Sequence, residues 1–192
     1  MPILVRSEPI SLLTPHGYIA ATLVVGDERM CVVVEEPTDS EDVLVRVQSS
    51  CMFSESLGAI DCDCNSQLKE SIRRVKEQGG FVVYLFEEGR GIGLQAKFEA
   101  VRLQQEHGLN TADAFEQIGL ASDPRDYGFA TQVLTQLLGP KRGVVLMTNN
   151  PTRTAALVAQ GIRVTRTEPL IIRTPTTEGY LAGKAEALGH EV

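Results

Sequence analysis

Residues 81–86 read FVVYLF, six apolar or aromatic side chains in a row with no polar alternation. A strand wetted on one face alternates; an unbroken run belongs to a strand buried on both faces, which requires packed elements above and below it. The run leads into the glycine turn EEGRGIG and then into LQAKFEAVRLQQEHG, an amphipathic helix ending at Gly108. The alternation continues with ATQVLTQLLG as a helix, RGVVLMT as a strand, TRTAALVAQG as a helix and IRVTRTEPL as a strand. Upstream, Leu68, Ile72 and Val75 recur at helical spacing as far as Gly79-Gly80, and the tail TEGYLAGKAEALGHEV reads as a last helix. Residues 3–50 differ. LLTPHGYIAATLVV, RMCVVVEE and DVLVRVQSS are strand-like segments punctuated by Pro15, Gly17, Gly26 and Asp27, as in an antiparallel meander. The expectation is a mixed α/β fold: an N-terminal antiparallel β portion packed on a mixed sheet with flanking helices, forming one domain over residues 1–192.

A formal charge of -7 and a pI near 5.0 argue against the broad basic face that nucleic-acid binding needs, so any phosphate must be held locally. No stretch approaches the apolar length of a membrane span and the N-terminus has no export signature, so a cytoplasmic protein with no membrane partner is expected. In that compartment thiols stay reduced, which turns attention to the four cysteines. Cys51, Cys62 and Cys64 form a C-x10-C-x-C pattern, while Cys31 lies inside the apolar segment MCVVV and reads as a small core residue. Cys62 and Cys64 can point the same way from an extended segment, and the ten-residue loop can return Cys51 to them. Three thiolates would suit Zn(II) with a fourth position open, but spacing alone leaves buried, unliganded cysteines equally acceptable.

The glycines of EEGRGIGL do not have the dinucleotide-binding spacing. They do let backbone N–H groups approach an anion near a helix N-terminus, with Arg90 available for a bidentate contact. A tight turn is the plainer alternative. In SDPRDYG, Asp123-Pro124 makes a good turn and Asp126 can cap the helix that follows.

Taken together these segments resemble the GTP cyclohydrolase II family. Arg46-Val47, Ser49, Cys51, Gly58, Cys62-Asp63-Cys64 and Gln67-Leu68 stand where that family has its zinc-binding stretch, and YLFEEGRGIGLQAK, DPRDYG, TNNP and YLAGKAEALGH follow in the family's order. The resemblance implies one zinc held by Cys51, Cys62 and Cys64, with its bound water attacking C8 of guanine, and Mg²⁺ on the nucleotide phosphates. It also implies Asp123 as proton acceptor and Arg125 at the α-phosphate, either as nucleophile or as electrostatic stabiliser, the latter suiting an always-protonated guanidinium. Arg46, Gln67, Glu88, Gly89, Arg90, Thr111, Thr148 and Arg153 are implied as nucleotide contacts, and a homodimer as the assembly.

The chain departs from the family where Val101 replaces a tyrosine, Gln48 and Ser50 replace histidine and glutamate, and Asp61 and Phe86 each replace an arginine. Valine can neither donate a hydrogen bond nor relay a proton, so formate release should be impaired if that phenol assists it. Three expectations therefore stand together: a cyclohydrolase giving a diaminopyrimidine or formamidopyrimidine ribotide, a zinc amidohydrolase on another purine or heterocycle, and a nucleotide-binding descendant without catalysis.

Overall fold

The computed structural model describes residues 4–26, 28–121, 125–140 and 142–189. Its centre is one eight-stranded sheet. Strands β1 (Val5–Arg6), β2 (Ile10–Thr14), β3 (Gly17–Gly26) and β4 (Arg29–Glu36) form the antiparallel part, β1 and β2 both pairing with β3. Strands β5 (Asp42–Ser49), β6 (Gly80–Leu85), β7 (Gly143–Met147) and β8 (Val164–Glu168) form the parallel part. The order is β1-β3-β4-β6-β5-β7-β8, so the two parts meet at the antiparallel β4–β6 pair, where Cys31 faces Leu85 and Glu36 faces Gly80.

Helices α1 (Cys64–Gln78), α2 (Leu94–His107), α3 (Thr111–Gln117), α4 (Gly128–Leu138), α5 (Pro151–Ala159) and α6 (Glu178–Leu188) complete the fold. Pleat parity decides what each helix covers. Val43, Val45 and Val47 of β5, Phe81, Val83 and Leu85 of β6, and Val144 and Leu146 of β7 point to one face, where they pack with Phe129, Val133 and Leu134 of α4 and Leu157 of α5. Leu44, Val82, Val145 and Met147 point to the other face and meet Val75, Leu68 and Ile72 of α1. Helices on both faces explain why residues 81–85 of β6 have no polar alternation; Phe86 falls beyond the strand and is exposed. Each fully buried valine or leucine here contributes about 1.5–3 kcal/mol.

Gly80 is required where β6 begins: its φ is +130° and a Cβ there would lie 2.1 Å from the Leu44 carbonyl oxygen of β5. Cys31 is fully buried in the first of these cores, as its apolar surroundings in the sequence suggested. Among the described residues no helix is long and apolar enough to cross a membrane.

Candidate metal centre and active site

The parallel strands β5, β6 and β7 end at the same edge, and the loops leaving them enclose a cavity of about 430 Å³. This edge is where open α/β sheets present ligand sites. Cys51 lies two residues beyond the end of β5 and caps a π-helical turn, Met52–Ser56; Cys62 lies just before α1 and Cys64 is its first residue. The Cys51 and Cys62 Sγ atoms are 3.9 Å apart, and all three sulfurs lie within 4.8 Å of one another. Tetrahedral Zn–S bonds of about 2.3 Å separate two ligand sulfurs by about 3.8 Å, so the donor set fits that metal. None of the three is in a disulfide. Hydrogen bonds from Cys62 and Cys64 push the Cys51 thiol well below the usual thiol range, while pairing with Cys51 raises Cys62. The cluster thus already favours thiolate character at Cys51, the form that binds metal.

A shell of side chains fixes the Cys51 turn. Glu55 accepts from the Cys51 amide at 3.0 Å, from Tyr84 Oη at 2.5 Å and from Gln48 Nε2 at 3.3 Å. Burial, then Glu55, raises the Tyr84 phenol, so it remains a donor. Glu88 accepts from the Met52 amide, from its neighbour Gly89 at 3.2 Å and from Lys97 Nζ at 2.7 Å. Lys97 in turn donates to Cys51 Sγ at 3.4 Å and sits 4.3 Å over the Phe53 ring. Burial opposes its charge, but Glu88 and Cys51 outweigh it and raise its pKa.

Arg46 projects from β5 on the α1 face and is 4% exposed. It donates to Gln48 Oε1 at 3.0 and 2.7 Å, to the Met147 carbonyl at 2.9 Å and to Gln67 Oε1 at 2.6 Å. Burial, then the nearby Arg153, lowers its pKa to about 9, which leaves it charged at neutral pH. Gln67 gives its own amide to Asp63 at 2.6 Å and to the Leu170 carbonyl at 3.0 Å. Both residues line the cavity, yet their polar atoms are committed to the protein.

Beyond β7, Thr148 accepts from the Asn150 amide at 3.1 Å, and Asn149 exchanges two hydrogen bonds with Leu170. Asn150 caps α5 through Thr152 N at 2.9 Å, while its Nδ2 and the Arg153 Nε are buried without a hydrogen-bond partner. Two orphaned donors at a helix N-terminus are suited to an anion. From the third side, Thr111 accepts from Gln104 Nε2 at 2.9 Å, which leaves its hydroxyl proton to donate. Arg125, partly buried, also lines the cavity. Asp123 lies outside the described residues. Asp126 accepts from Gly128 N at 2.9 Å at the start of α4 and pairs with Arg29 at 2.8 Å.

The cavity lining therefore brings together Cys51, Cys62, Cys64, Arg46, Gln67, Glu88, Gly89, Arg90, Thr111, Arg125, Thr148 and Arg153. Among the departures, Gln48, Ser50, Asp61 and Val101 line it too. Phe86 does not: it is 53% exposed, and its ring stands edge-on to Tyr84 at 5.6 Å. It comes just after the last residue of β6, Leu85, and faces solvent instead of the cavity. Sequence reasoning missed Lys97 and Glu55, although Lys97 ends the segment YLFEEGRGIGLQAK.

The GTP cyclohydrolase II family model matches residues 13–169. A protein named GTP cyclohydrolase-2 from Streptomyces coelicolor is 44% identical over 172 residues, covering 87% of this chain and 75% of that protein. One of the same name from Azotobacter vinelandii is 38% identical over 184 residues, covering 95% and 86%. A riboflavin biosynthesis protein RibBA from Parabacteroides distasonis is 39% identical over 167 residues, and there the chain spans only 40% of its relative's length.

Proposed function

Because the chain belongs to the GTP cyclohydrolase II family, we propose that it opens the imidazole ring of GTP at a zinc site formed by Cys51, Cys62 and Cys64. The observation that carries this reading is the cluster of three sulfurs within 4.8 Å, opening onto the cavity that Arg90, Arg125 and Arg153 also line. Bound zinc would supply an acidified water for attack on C8 of the guanine ring. The protein's own groups do the rest. Thr111, its oxygen occupied by Gln104, donates to the nucleotide. Asn150 Nδ2 and Arg153 Nε find in the phosphates the acceptors they lack in the protein. A water adds to the α-phosphorus as pyrophosphate leaves: Asp123 takes that water's proton, Arg125 stabilises the charge on the phosphate, and Mg²⁺, when bound, would offset the negative charge of the nucleotide. Electrostatic stabilisation suits Arg125 better than nucleophilic attack, since guanidinium keeps its proton. Thiolate ligands suit work in a reducing cytoplasm, and a homodimer is part of the same reading.

Val101 lines the cavity with two methyl groups and no hydroxyl. It offers no proton to a formyl intermediate, so formate release is impaired and a formamidopyrimidine ribotide accumulates. The test is incubation of the zinc-loaded protein with GTP and Mg²⁺, with formate and pyrophosphate assayed separately. Pyrophosphate in excess of formate, with Val101→Tyr restoring formate, is the expected result. Equal release of both removes the proposed impairment but keeps the activity. No turnover with stoichiometric zinc ends the GTP reading. Another purine or heterocycle would then be the substrate, a reading favoured by the commitment of Arg46 to protein acceptors, which leaves one cation fewer for a triphosphate.

A further inference from the structure

Arg90 is the one described non-glycine residue with positive φ, at φ 60° and ψ 32°. A side chain in this left-handed region costs about 1 kcal/mol relative to ordinary backbone. The turn around it is self-contained: Gly91 and Gly93 amides donate to the Glu88 carbonyl at 3.0 and 3.1 Å, and Ile92 donates to Gly89 at 3.2 Å. These bonds hold the backbone but do not choose where the arginine side chain points. The guanidinium carbon lies 4.9 Å from the centroid of the Phe115 ring. Phe115 is 3% exposed and packs with Ala100, Leu103 and Ala114, so its ring is held between α2 and α3 while still lining the cavity. Thr111 stands one turn earlier on the same short helix.

We propose that Phe115 is a positioning residue: its fixed aromatic face holds the left-handed Arg90 guanidinium in the cavity, where it meets the anionic part of the substrate. The inference deepens the function proposed above and rests on it for the substrate. An aliphatic residue of similar size would keep the α2–α3 packing and lose the ring quadrupole that attracts the cation. A tyrosine would keep both. The partly desolvated contact is of a strength that corresponds to a roughly tenfold change in an equilibrium.

The experiment compares Phe115→Leu and Phe115→Tyr with the parent protein, all with zinc content and thermal midpoint measured first. With GTP, Phe115→Leu should raise KM about tenfold while kcat falls much less, and Phe115→Tyr should behave as the parent. A second readout needs no turnover: trypsin should cut after Arg90 faster in the folded Leu variant and at the parent rate in the Tyr variant. Equal cleavage in all three proteins, or a Tyr variant as altered as Leu, overturns the proposal. If the parent leaves GTP untouched, the reading of function fails, and the cleavage comparison still decides the role of Phe115. Should Leu unfold the α2–α3 pair, cleavage would rise at sites throughout both helices, and Phe115→Met, which refills the volume, replaces it under the same criteria.

Discussion

Replacing Arg46 by methionine keeps the aliphatic stem and removes the guanidinium, and so separates a strut from a substrate contact. The four hydrogen bonds of this group end on three acceptors: Gln48 Oε1, Gln67 Oε1 and the Met147 carbonyl. Gln48, Gln67 and Met147 are themselves buried, at 3%, 8% and 0% exposure. Each acceptor left without a donor costs about 1–3 kcal/mol. The two glutamine amides can turn toward other partners, and repulsion from Arg153 disappears with the charge, so the net loss should be about 3 kcal/mol. Urea unfolding of zinc-saturated protein measures it as a lower midpoint at unchanged slope. A stability loss below about 1 kcal/mol together with a large rise in KM would refute this reasoning and make Arg46 chiefly a substrate contact.

Lys97→Met removes the ammonium that donates to Cys51 Sγ and should weaken zinc binding about tenfold in chelator competition, the scale of effects from partners just outside a metal's ligands. Unchanged affinity would confine Lys97 to its pair with Glu88. Burial, then Glu87, pushes the Cys31 thiol up to about 12, so in native metal-free protein at pH 8 a thiol reagent should react at the cysteine cluster and leave Cys31 untouched until the chain unfolds. Zinc should protect the cluster, and rapid modification of Cys31 would contradict its burial.

The alternation of strands and helices was legible because each element carries its own period. The helix expected to end at Gly108 does so, with that glycine in left-handed conformation at φ 67°. Elements too short to show a period were not legible. Helix α3, seven residues, has less than two turns of pattern, and the π-helical turn after Cys51 has no periodic signature at all. Chain order likewise conceals that β6 inserts between β4 and β5, which makes the meander and the parallel strands one sheet. In the site, residue types gave the thiol cluster, but not which polar groups were already spoken for. Whether Arg46 faces substrate or protein depends on Gln67 and Met147, 21 and 101 positions away. Lys97 joins Cys51 across 46 positions, a contact no local pattern encodes.

The three clustered sulfurs fall within residues 51–64, whereas the residues that line the cavity extend to Leu181. On the ribosome all three thiols are therefore made long before β7, α5 and α6, whose residues complete the cavity lining. Thiolates can bind zinc without waiting for a finished fold, and an ion held there would tie the end of β5 to the start of α1. If the cluster holds zinc as proposed, its capture would come early in synthesis and would help to seed the β5–α1–β6 unit, before the rest of the cavity lining is made.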